Sequence, residues 1–446
     1  MESVQKLTHI EHILKRPDSY VGPVDLSTEA YWILNGNKSQ FEKKNVKYSP
    51  ALLKIFDEIL VNAIDRNSMH PKNVSSISVS IDKETGAVTI ENNGPLGGIS
   101  VRMHEKEGIW NPELVFGHLL TSTNYDDSQK RIVGGRNGYG AKLTNIYSSD
   151  FSVVIKDHET KQTYTQKWSN NMTVCEPPKI KKHSGATSSV AVTFTPDWRR
   201  FKMSKMDNTI YKIFQKRVWD ANICTTPNCK VKFNDEVLPK QNFEAYAKMH
   251  TGVDNVHCVT TDRWSVCIGP SEDGMQQVSF VNGIANPKGG KHVDMISKQL
   301  TSGLKKLILK KSKKDVNENY IKNYLRIFVD CLIVNPSFDS QTKERLITTP
   351  SKFGSKPVLS DKFMKQILDK TDLQDRVLQF SEFKMNKETK KTDGQKKNKI
   401  RDIPKLDDAN WAGTKKSEQC ILILTEGDSA KSMAISGLSV VGRDIY

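Results

Sequence analysis

The chain has 446 residues and carries 67 Lys and Arg against 51 Asp and Glu, a formal net charge of +16. Its 37% hydrophobic content, with 16 Phe and 7 Trp, excludes both a single small module and a wholly disordered chain. No apolar run approaches the ~20 residues of a membrane helix, and the N-terminus lacks the apolar core of a signal peptide. We therefore expect a cytosolic or nuclear protein. The basic charge favours nucleic acid over membrane as a partner, although excess lysine also serves solubility.

A helix is predicted to begin at Pro50, because Ser49 can cap it and proline suits a first turn. The apolar residues between Leu52 and Ala63 share one face of that helix. Alternating apolar residues predict strands at 77–81, 88–90, 151–155, 163–168, 190–194 and 231–233. These elements predict an α+β domain over residues 1–239, with helices on one side of a largely antiparallel sheet.

Residues 240–405 are predicted to form a mixed α/β domain, with strands at 278–283 and 325–334 and a helix at 293–309. Its end, residues 384–399, is rich in lysine and poor in apolar residues, as expected of an exposed linker. A third unit begins at residue 406, where the apolar run 420–424 predicts a buried strand.

The seven cysteines are scattered along the chain. Cys224 and Cys229 lie close together, but no second pair and no histidine stands at zinc-ligand spacing. We expect ordinary thiols rather than a metal site.

Polar residues at i, i+4 and i+7 form a stripe on the Pro50 helix, namely Glu58, Asn62 and Asp65. Such a stripe is usually a solvated helix face. In a functional reading, Asn62 offers its carbonyl oxygen to Mg²⁺ and Glu58 takes a proton from an attacking water, provided that a phosphate lies nearby.

The glycine-dense residues 134–140 precede a predicted helix and could supply that phosphate site through their backbone N–H groups. A glycine-rich surface loop is an equally good interpretation. The spacing is neither a Walker A box nor a Rossmann fingerprint.

Other segments carry similarly open alternatives. Asn92 stands at a strand end, where it forms a turn or contacts an adenine or ribose. Lys343 follows a strand and is either solvated or reaches a terminal phosphate. A compact basic loop either solubilises the chain or touches DNA phosphates, and it contains Lys310, Lys311, Lys313 and Lys314. Glu426 follows the run 420–424. A carboxylate at the end of such a strand either binds Mg²⁺ or simply belongs to a turn.

Five stretches, taken together and in this order, resemble eukaryotic-type topoisomerase II. They are residues 56–63 (FDEILVNA), 119–127 (LLTSTNYDD), 134–142 (GGRNGYGAK), 341–343 (QTK) and 426–430 (EGDSA). The resemblance implies a nucleotide-binding domain of the kind shared with gyrase, mismatch-repair ATPases and a heat-shock chaperone. A transducer domain and the first part of a metal-binding α/β cleavage domain would follow, with boundaries at residues 1–239, 240–405 and 406–446.

The function implied by the resemblance is that of the N-terminal part of an ATP-dependent type II DNA topoisomerase. ATP binding would close a homodimeric gate on double-stranded DNA, and hydrolysis would reset the gate. An ATP-switched clamp or chaperone-like protein without DNA cleavage is the alternative. The resemblance implies ATP and Mg²⁺ as cofactors, no membrane partner, and a nuclear location in a eukaryotic cell or otherwise a cytoplasmic one.

The resemblance also assigns roles residue by residue. Glu58 corresponds to the general base, Asn62 to a Mg²⁺ ligand, and Glu426 to a metal ligand of the cleavage site. Gln341 and Lys343 correspond to transducer residues that reach the γ-phosphate. The basic loop 310–314 corresponds to a DNA-contacting loop. Nucleotide contacts are implied for Asn62, Asn92, Ser122, Thr123, Asn124, Gly135, Arg136, Asn137, Gly138, Tyr139, Gly140, Ala141, Lys142, Gln341, Thr342 and Lys343.

The chain departs from the family pattern at four places. Arg66 replaces the usual Asn, Val190 replaces a Thr near the adenine, and Val4 replaces a Tyr that reaches the partner subunit. Two extra residues follow Gly94, within 95–98. We therefore expect the phosphate contacts to follow the family more closely than the adenine contacts do.

Overall fold

The computed structural model describes residues 4–94, 99–121, 128–135, 138–392, 406–438 and 442–446. Two compact units are present, residues 1–379 and residues 380–446, and each is described by itself. The described residues of the first unit form a nine-stranded sheet, a five-stranded sheet and a separate two-stranded sheet, around two hydrophobic clusters.

The N-terminal part of the chain forms the nine-stranded sheet, the two-stranded sheet and their helices. The helices are α1 (His9–Lys15), α2 (Pro50–Met69), α3 (Asn111–Gly117), α4 (Gly140–Ile146) and α5 (Asn208–Cys224). The strands are β1 (Ser27–Leu34), β2 (Phe41–Tyr48), β3 (Ser76–Ile81), β4 (Val88–Gly94), β5 (Ser148–Asp157), β6 (Gln162–Ser169), β7 (Val174–Cys175), β8 (Lys179–Lys182), β9 (Ser188–Pro196), β10 (Lys230–Phe233) and β11 (Glu236–Val237).

Helix α2 begins where the sequence predicts, with Pro50 in the first turn and the Ser49 hydroxyl accepting a hydrogen bond from the Leu52 N–H. It packs on α4, α5 and β4. Phe56 of α2 stacks on Phe214 of α5, with ring centroids 4.0 Å apart. Burial of this broad apolar face fixes the rotation of α2, and therefore the direction of its polar stripe.

Nine strands form the larger sheet in the order β11-β10-β3-β4-β9-β5-β6-β7, with β8 also paired to β6. All pairs are antiparallel except β10 with β3. Strands β1 and β2 form a separate hairpin. The prediction of a largely antiparallel sheet with helices on one side is confirmed.

The second sheet has five strands in the order β12-β13-β16-β14-β15, with β14 parallel to β16. Its strands are β12 (His257–Thr261), β13 (Trp264–Pro270), β14 (Gln276–Val281), β15 (Ile284–Ala285) and β16 (Leu325–Cys331). Its helices are α6 (Phe243–Thr251), α7 (Lys291–Ser312), α8 (Glu318–Lys322), α9 (Asp361–Lys370) and the beginning of α10 (Leu373–Thr392), which continues past the unit boundary at residue 379. This is the mixed α/β arrangement that the sequence predicts.

Three local predictions differ from the structure. The strand predicted at 325–334 ends at Cys331. Helix α10 continues to Thr392, so the lysine-rich segment begins as a helix; residues 393–399 lie outside the described residues. The strand predicted at 420–424 is absent, and Leu422 and Leu424 are 70% and 86% exposed. A buried strand needs neighbours on both sides. Two backbone hydrogen bonds join this run to other described residues, from the Cys420 N–H to the Ser417 carbonyl and from the Ile421 N–H to the Ile445 carbonyl. Helix α11 (Gly427–Leu438) follows it.

The expectation of ordinary thiols is wrong for two cysteines. Cys258 of β12 and Cys267 of β13 face each other across the antiparallel pair and form a disulfide. The strand register, rather than the nine-residue separation, brings the two cysteines opposite each other, so the sequence spacing alone does not reveal the bond. No cluster of three or more potential metal-ligating side chains occurs in the described ranges. Nor is any described helix long and apolar enough to cross a membrane.

His292 lies fully buried in the first turn of α7, and neither ring nitrogen has a hydrogen-bond partner in the described structure. Burial lowers its pKa to about 3. The unfolded chain therefore binds more protons than the folded chain between about pH 3 and 6.5, so stability rises with pH across that window. The free energy of unfolding of the parent should fall between pH 7.5 and pH 4.5. We expect this fall to be smaller by roughly 3 kcal/mol in His292→Leu, as measured by urea unfolding at the two pH values. The exposed variant His9→Leu should keep the parental pH slope, and an identical slope for all three proteins would contradict the prediction.

Candidate functional site

A cavity of about 1130 Å³ opens between α2 and the larger sheet. Helix α2, strands β4 and β9, the start of α4 and the loop near residue 343 all contribute to its wall. Of the residues predicted from sequence, those that line it are Glu58, Asn62, Asn92, Gly135, Gly138, Tyr139, Gly140, Ala141, Lys142, Gln341 and Lys343. The structure therefore brings together four segments that are far apart in sequence.

Glu58 is 5% exposed and stands between two buried lysines. Its Oε1 forms an ion pair with Lys54, one turn earlier on α2, and lies 3.6 Å from the Nζ of Lys343. Burial alone raises the pKa of Glu58, but the charges of Lys343 and Lys54 outweigh it and hold the pKa at about 2. Glu58 is therefore an ionised carboxylate at neutral pH. Sequence reasoning missed Lys54, although its i, i+4 spacing to Glu58 is a usable signal.

Gly140 is the first residue of α4 and passes directly over the Glu58 carboxylate. A Cβ at this position would lie 2.1 Å from Glu58 Oε2. Because Glu58 is buried and paired, it has little room to move aside. Glycine at this position therefore allows a carboxylate and the glycine segment to share one wall of the cavity.

Asp65, two turns beyond Glu58 on α2, holds the beginning of the glycine segment. Its two carboxylate oxygens accept 2.8 Å hydrogen bonds from the N–H groups of Gly134 and Gly135. Burial raises the pKa of Asp65 to about 6, although these two donors act to lower it. The polar stripe on α2 thus lines the cavity, with Glu58 and Asp65 buried and Asn62 exposed.

Lys142 lies 3% exposed in α4. Its Nζ donates hydrogen bonds to the carbonyl oxygens of Thr121 and Gly138, at 2.9 and 2.7 Å. Burial lowers its pKa to about 8, so the amine is predominantly charged at neutral pH. Lys142 thus adds a cation to the cavity wall where the glycine segment meets α4.

Lys343 follows β16, in the part of the first unit that contains the five-stranded sheet, which we call the second sheet's part of the unit. Its backbone is left-handed, with φ of 62°. Asn286 supports this turn, because its Nδ2 donates a 2.8 Å hydrogen bond to the Lys343 carbonyl. The Lys343 Nζ also donates to the Gly134 carbonyl at 3.3 Å. One amine therefore contacts both the glycine segment and Glu58.

Two asparagines attach residues 129–135 to the second sheet's part of the unit. Asn335 donates from its backbone N–H to the Arg131 carbonyl at 2.9 Å and accepts from the Arg131 N–H at 3.1 Å through Oδ1. The Asn282 side chain donates to the Val133 carbonyl at 3.2 Å. Sequence reasoning missed both, because nothing in their spacing marks a contact about 150 or more residues away.

A buried arginine joins α2 to the second sheet from another side. Arg217 of α5 donates 2.5 Å and 2.6 Å hydrogen bonds to Asp57 Oδ1 and the Gly283 carbonyl. Burial alone lowers the pKa of Arg217, but the charges of Asp57 and Asp220 keep it above its usual range. Asp57 precedes Glu58 directly, so this network fixes the helix turn that carries the carboxylate.

The remaining predicted residues have different placements. Ser122, Thr123, Asn124, Arg136 and Asn137 lie outside the described residues. Thr342 is not among the residues that line the cavity, and its hydroxyl lies 2.7 Å from that of Ser340. The two atypical residues Arg66 and Val190 both line the cavity.

The basic loop lies at the end of α7, and Lys310, Lys311, Lys313 and Lys314 are all exposed. Lys311 lies 3.4 Å from Asp369, and Lys313 ends the helix with φ of 59°. Glu426, in the second unit, is exposed.

The chain is similar to known proteins in sequence and in fold. A family model described as DNA gyrase B matches residues 232–398. DNA topoisomerase 2 of Drosophila melanogaster is 44% identical over 99% of this chain, and the chain spans only 31% of that protein's length. The ATPase region of Saccharomyces cerevisiae topoisomerase II superposes with a TM-score of 0.81 at 40% identity, covering 85% of this chain and 98% of that one.

A second solved structure supports the same relation. The ATPase and transducer domains of DNA topoisomerase II from Balamuthia mandrillaris align with a TM-score of 0.81 and 40% identity, covering 86% of this chain and 98% of that one. Sequence and fold therefore match over nearly the whole of the solved regions. The chain belongs to the DNA topoisomerase 2 family and corresponds to the ATPase region of that family.

Proposed function

We propose that this chain binds and hydrolyses ATP in the cavity beside α2, and that nucleotide binding closes a gate between two copies of the chain around duplex DNA. In a full-length protein this cycle would drive the passage of one duplex through another. The observation that carries the proposal is the buried Glu58 carboxylate, held between Lys54 and Lys343 against Gly140.

The two lysines explain how phosphate and carboxylate would work together. With a pKa of about 2, Glu58 is a weak base. A γ-phosphate entering the cavity competes with Glu58 for Lys343, because the amine can turn towards the greater negative charge. When Lys343 moves away, Glu58 loses one of two stabilising cations and its pKa rises. Glu58 then becomes a better acceptor for the proton of an attacking water.

The same wall offers a ligand for a metal ion. Asn62 is exposed and lines the cavity one turn beyond Glu58, and its carboxamide oxygen suits Mg²⁺. Mg²⁺ bound there would supply positive charge against the phosphate oxygens. The predicted contact of Asn92 with the adenine or the ribose remains part of the proposal, and its buried position in β4 at the cavity wall supports it.

We expect a non-hydrolysable ATP analogue to convert the chain from monomer to dimer. Lys343→Ala should weaken this response, because the charge-assisted contact with the terminal phosphate is lost. Light scattering at increasing analogue concentration measures the change, with the exposed Lys72→Ala variant as control. A chain that stays monomeric in saturating analogue would contradict the gate model.

A second test concerns DNA. If Lys310, Lys311, Lys313 and Lys314 contact duplex phosphates, replacing all four with Gln should reduce the log-log salt slope of binding by up to roughly 3.6, about 0.9 for each contact. Basal ATP hydrolysis should not change. A charge-matched control replaces four exposed lysines elsewhere, Lys72, Lys352, Lys362 and Lys365. Equal slopes for the parent and the loop variant would leave only the solubilising role.

A further inference from the structure

The nine-stranded sheet has one face that its helices do not cover. Residues alternate along each strand, so that Val153 and Ile155 of β5 are buried under helices while Lys156 is exposed. The register of neighbouring strands keeps these outward positions aligned, because Lys156 pairs with Thr163 of β6 and Thr163 pairs with Lys181 of β8. The outward residues therefore form one continuous surface.

That surface is strongly basic. Six lysines occupy its outward positions, namely Lys156, Lys167, Lys179, Lys181, Lys230 and Lys232. Its outward acids on β3, β4, β5, β6, β8, β9 and β10 are Glu91 and Asp150. None of the six lysines forms an ion pair with a residue in the described part of the chain. Their charges are therefore available to an external anion.

Four of the lysines converge on one corner of the sheet. Lys179 and Lys181 lie two residues apart on β8, about 7 Å along the strand. Lys156 stands two strands away from Lys181, about 10 Å across the sheet. Lys167 lies on the intervening β6. These spacings suit a ligand that carries closely repeated negative charges, as a nucleic acid backbone does.

The uncharged positions narrow the ligand class. Most of the other outward residues are serine or threonine, including Ser78, Thr163, Thr165 and Thr193, whose hydroxyls can donate to phosphate oxygens. No aromatic residue occupies an outward position on β3, β4, β5, β6, β8, β9 or β10. Single strands are held mainly by stacking of bases on aromatic rings, so the surface fits the sugar-phosphate backbone of a duplex better.

We propose that the outward face of the nine-stranded sheet, at the corner of Lys156, Lys167, Lys179 and Lys181, binds the backbone of duplex DNA without sequence preference. This contact is separate from the basic loop at the end of α7, which belongs to the other sheet. It rests on the proposed function only in taking DNA as the partner.

The test replaces the four corner lysines with Thr, which removes four charges and retains strand propensity. Binding to a short fluorescent duplex is followed by anisotropy over a salt series, beside the parent, the loop variant and the control with Gln at 72, 352, 362 and 365. We expect the corner variant to lose up to roughly 3.6 from the log-log salt slope while the control keeps the parental slope. Basal ATP hydrolysis and the thermal midpoint should stay at parental values, which reports an intact fold.

The outcomes separate the two proposals. A parent that does not bind duplex at low salt would overturn DNA as the partner altogether. A loop variant that loses slope while the corner variant matches the parent would overturn only the sheet contact. Equal losses in the corner variant and the charge-matched control would show a general effect of net charge and also overturn it. A single strand that binds the corner more tightly than the duplex would assign the surface to a different ligand.

Discussion

Replacing Glu58 with Gln is expected to lower kcat for ATP hydrolysis by about 10²-fold or more while ATP binding remains measurable. The amide keeps the shape of the side chain beside Gly140 but cannot accept a proton from water. Loss of general-base catalysis typically costs about 10²–10⁴-fold. Turnover is measured by phosphate release, and affinity by titration with a fluorescent ATP analogue.

A matched control comes from the same cavity. Glu107 lines the cavity but is exposed, and Glu107→Gln removes an equal charge without touching Lys54 or Lys343. We expect near-parental kcat for this variant. If Glu58→Gln turned over at the parental rate, Glu58 would not be the base and the proposed chemistry would fail.

Replacing Arg217 with Met is expected to destabilise the first unit by about 3–5 kcal/mol, because Asp57 would be left as an unpaired carboxylate. The Gly283 carbonyl would also lose its donor. Adding Asp57→Asn should recover part of the loss, since the charge that lacks a partner is then gone. Urea unfolding of the single variants and the double variant measures these changes.

Arg200→Met provides the comparison. Arg200 pairs with Asp197 at 3.0 Å in a much more exposed place, where such pairs contribute at most about 1 kcal/mol. A cost for Arg217→Met no greater than that for Arg200→Met would show that the buried network does not hold the two parts of the unit together. The same result would remove it as a support for the Glu58 turn.

Periodicity was sufficient for elements whose pattern reflects burial on one face. The apolar side chains of α2, and the alternate apolar side chains of β3, β5 and β9, are buried in the core of the larger sheet. The predicted elements therefore match the observed ones. The apolar run 420–424 carries no such information. A run without alternation specifies burial but not the partners that provide it, and the described part of its unit does not provide them.

For the candidate site, the sequence predicted the residues that share one helix but not the contacts between distant segments. Spacing on one helix placed Glu58, Asn62 and Asp65 on a common stripe, and the structure turns that stripe towards the cavity. The approach of Lys343 to Glu58 joins residues 285 positions apart, and only the resemblance to a family suggested it. Contacts such as Asn335 with Arg131 depend on the packing of two sheets, which no local pattern encodes.

The attachment of residues 129–135 by Asn282 and Asn335 links two quantities that are usually measured separately. The segment forms part of the cavity wall, yet the backbone groups of Gln129, Arg131 and Val133 bond to two asparagines in the part of the unit that contains the five-stranded sheet. A ligand that orders this segment must therefore raise the thermal resistance of that part, and by thermodynamic reciprocity anything that rigidifies that part must tighten ligand binding. Amide hydrogen exchange in β14 and β16 should consequently slow on nucleotide binding, although neither strand contributes a residue to the cavity wall.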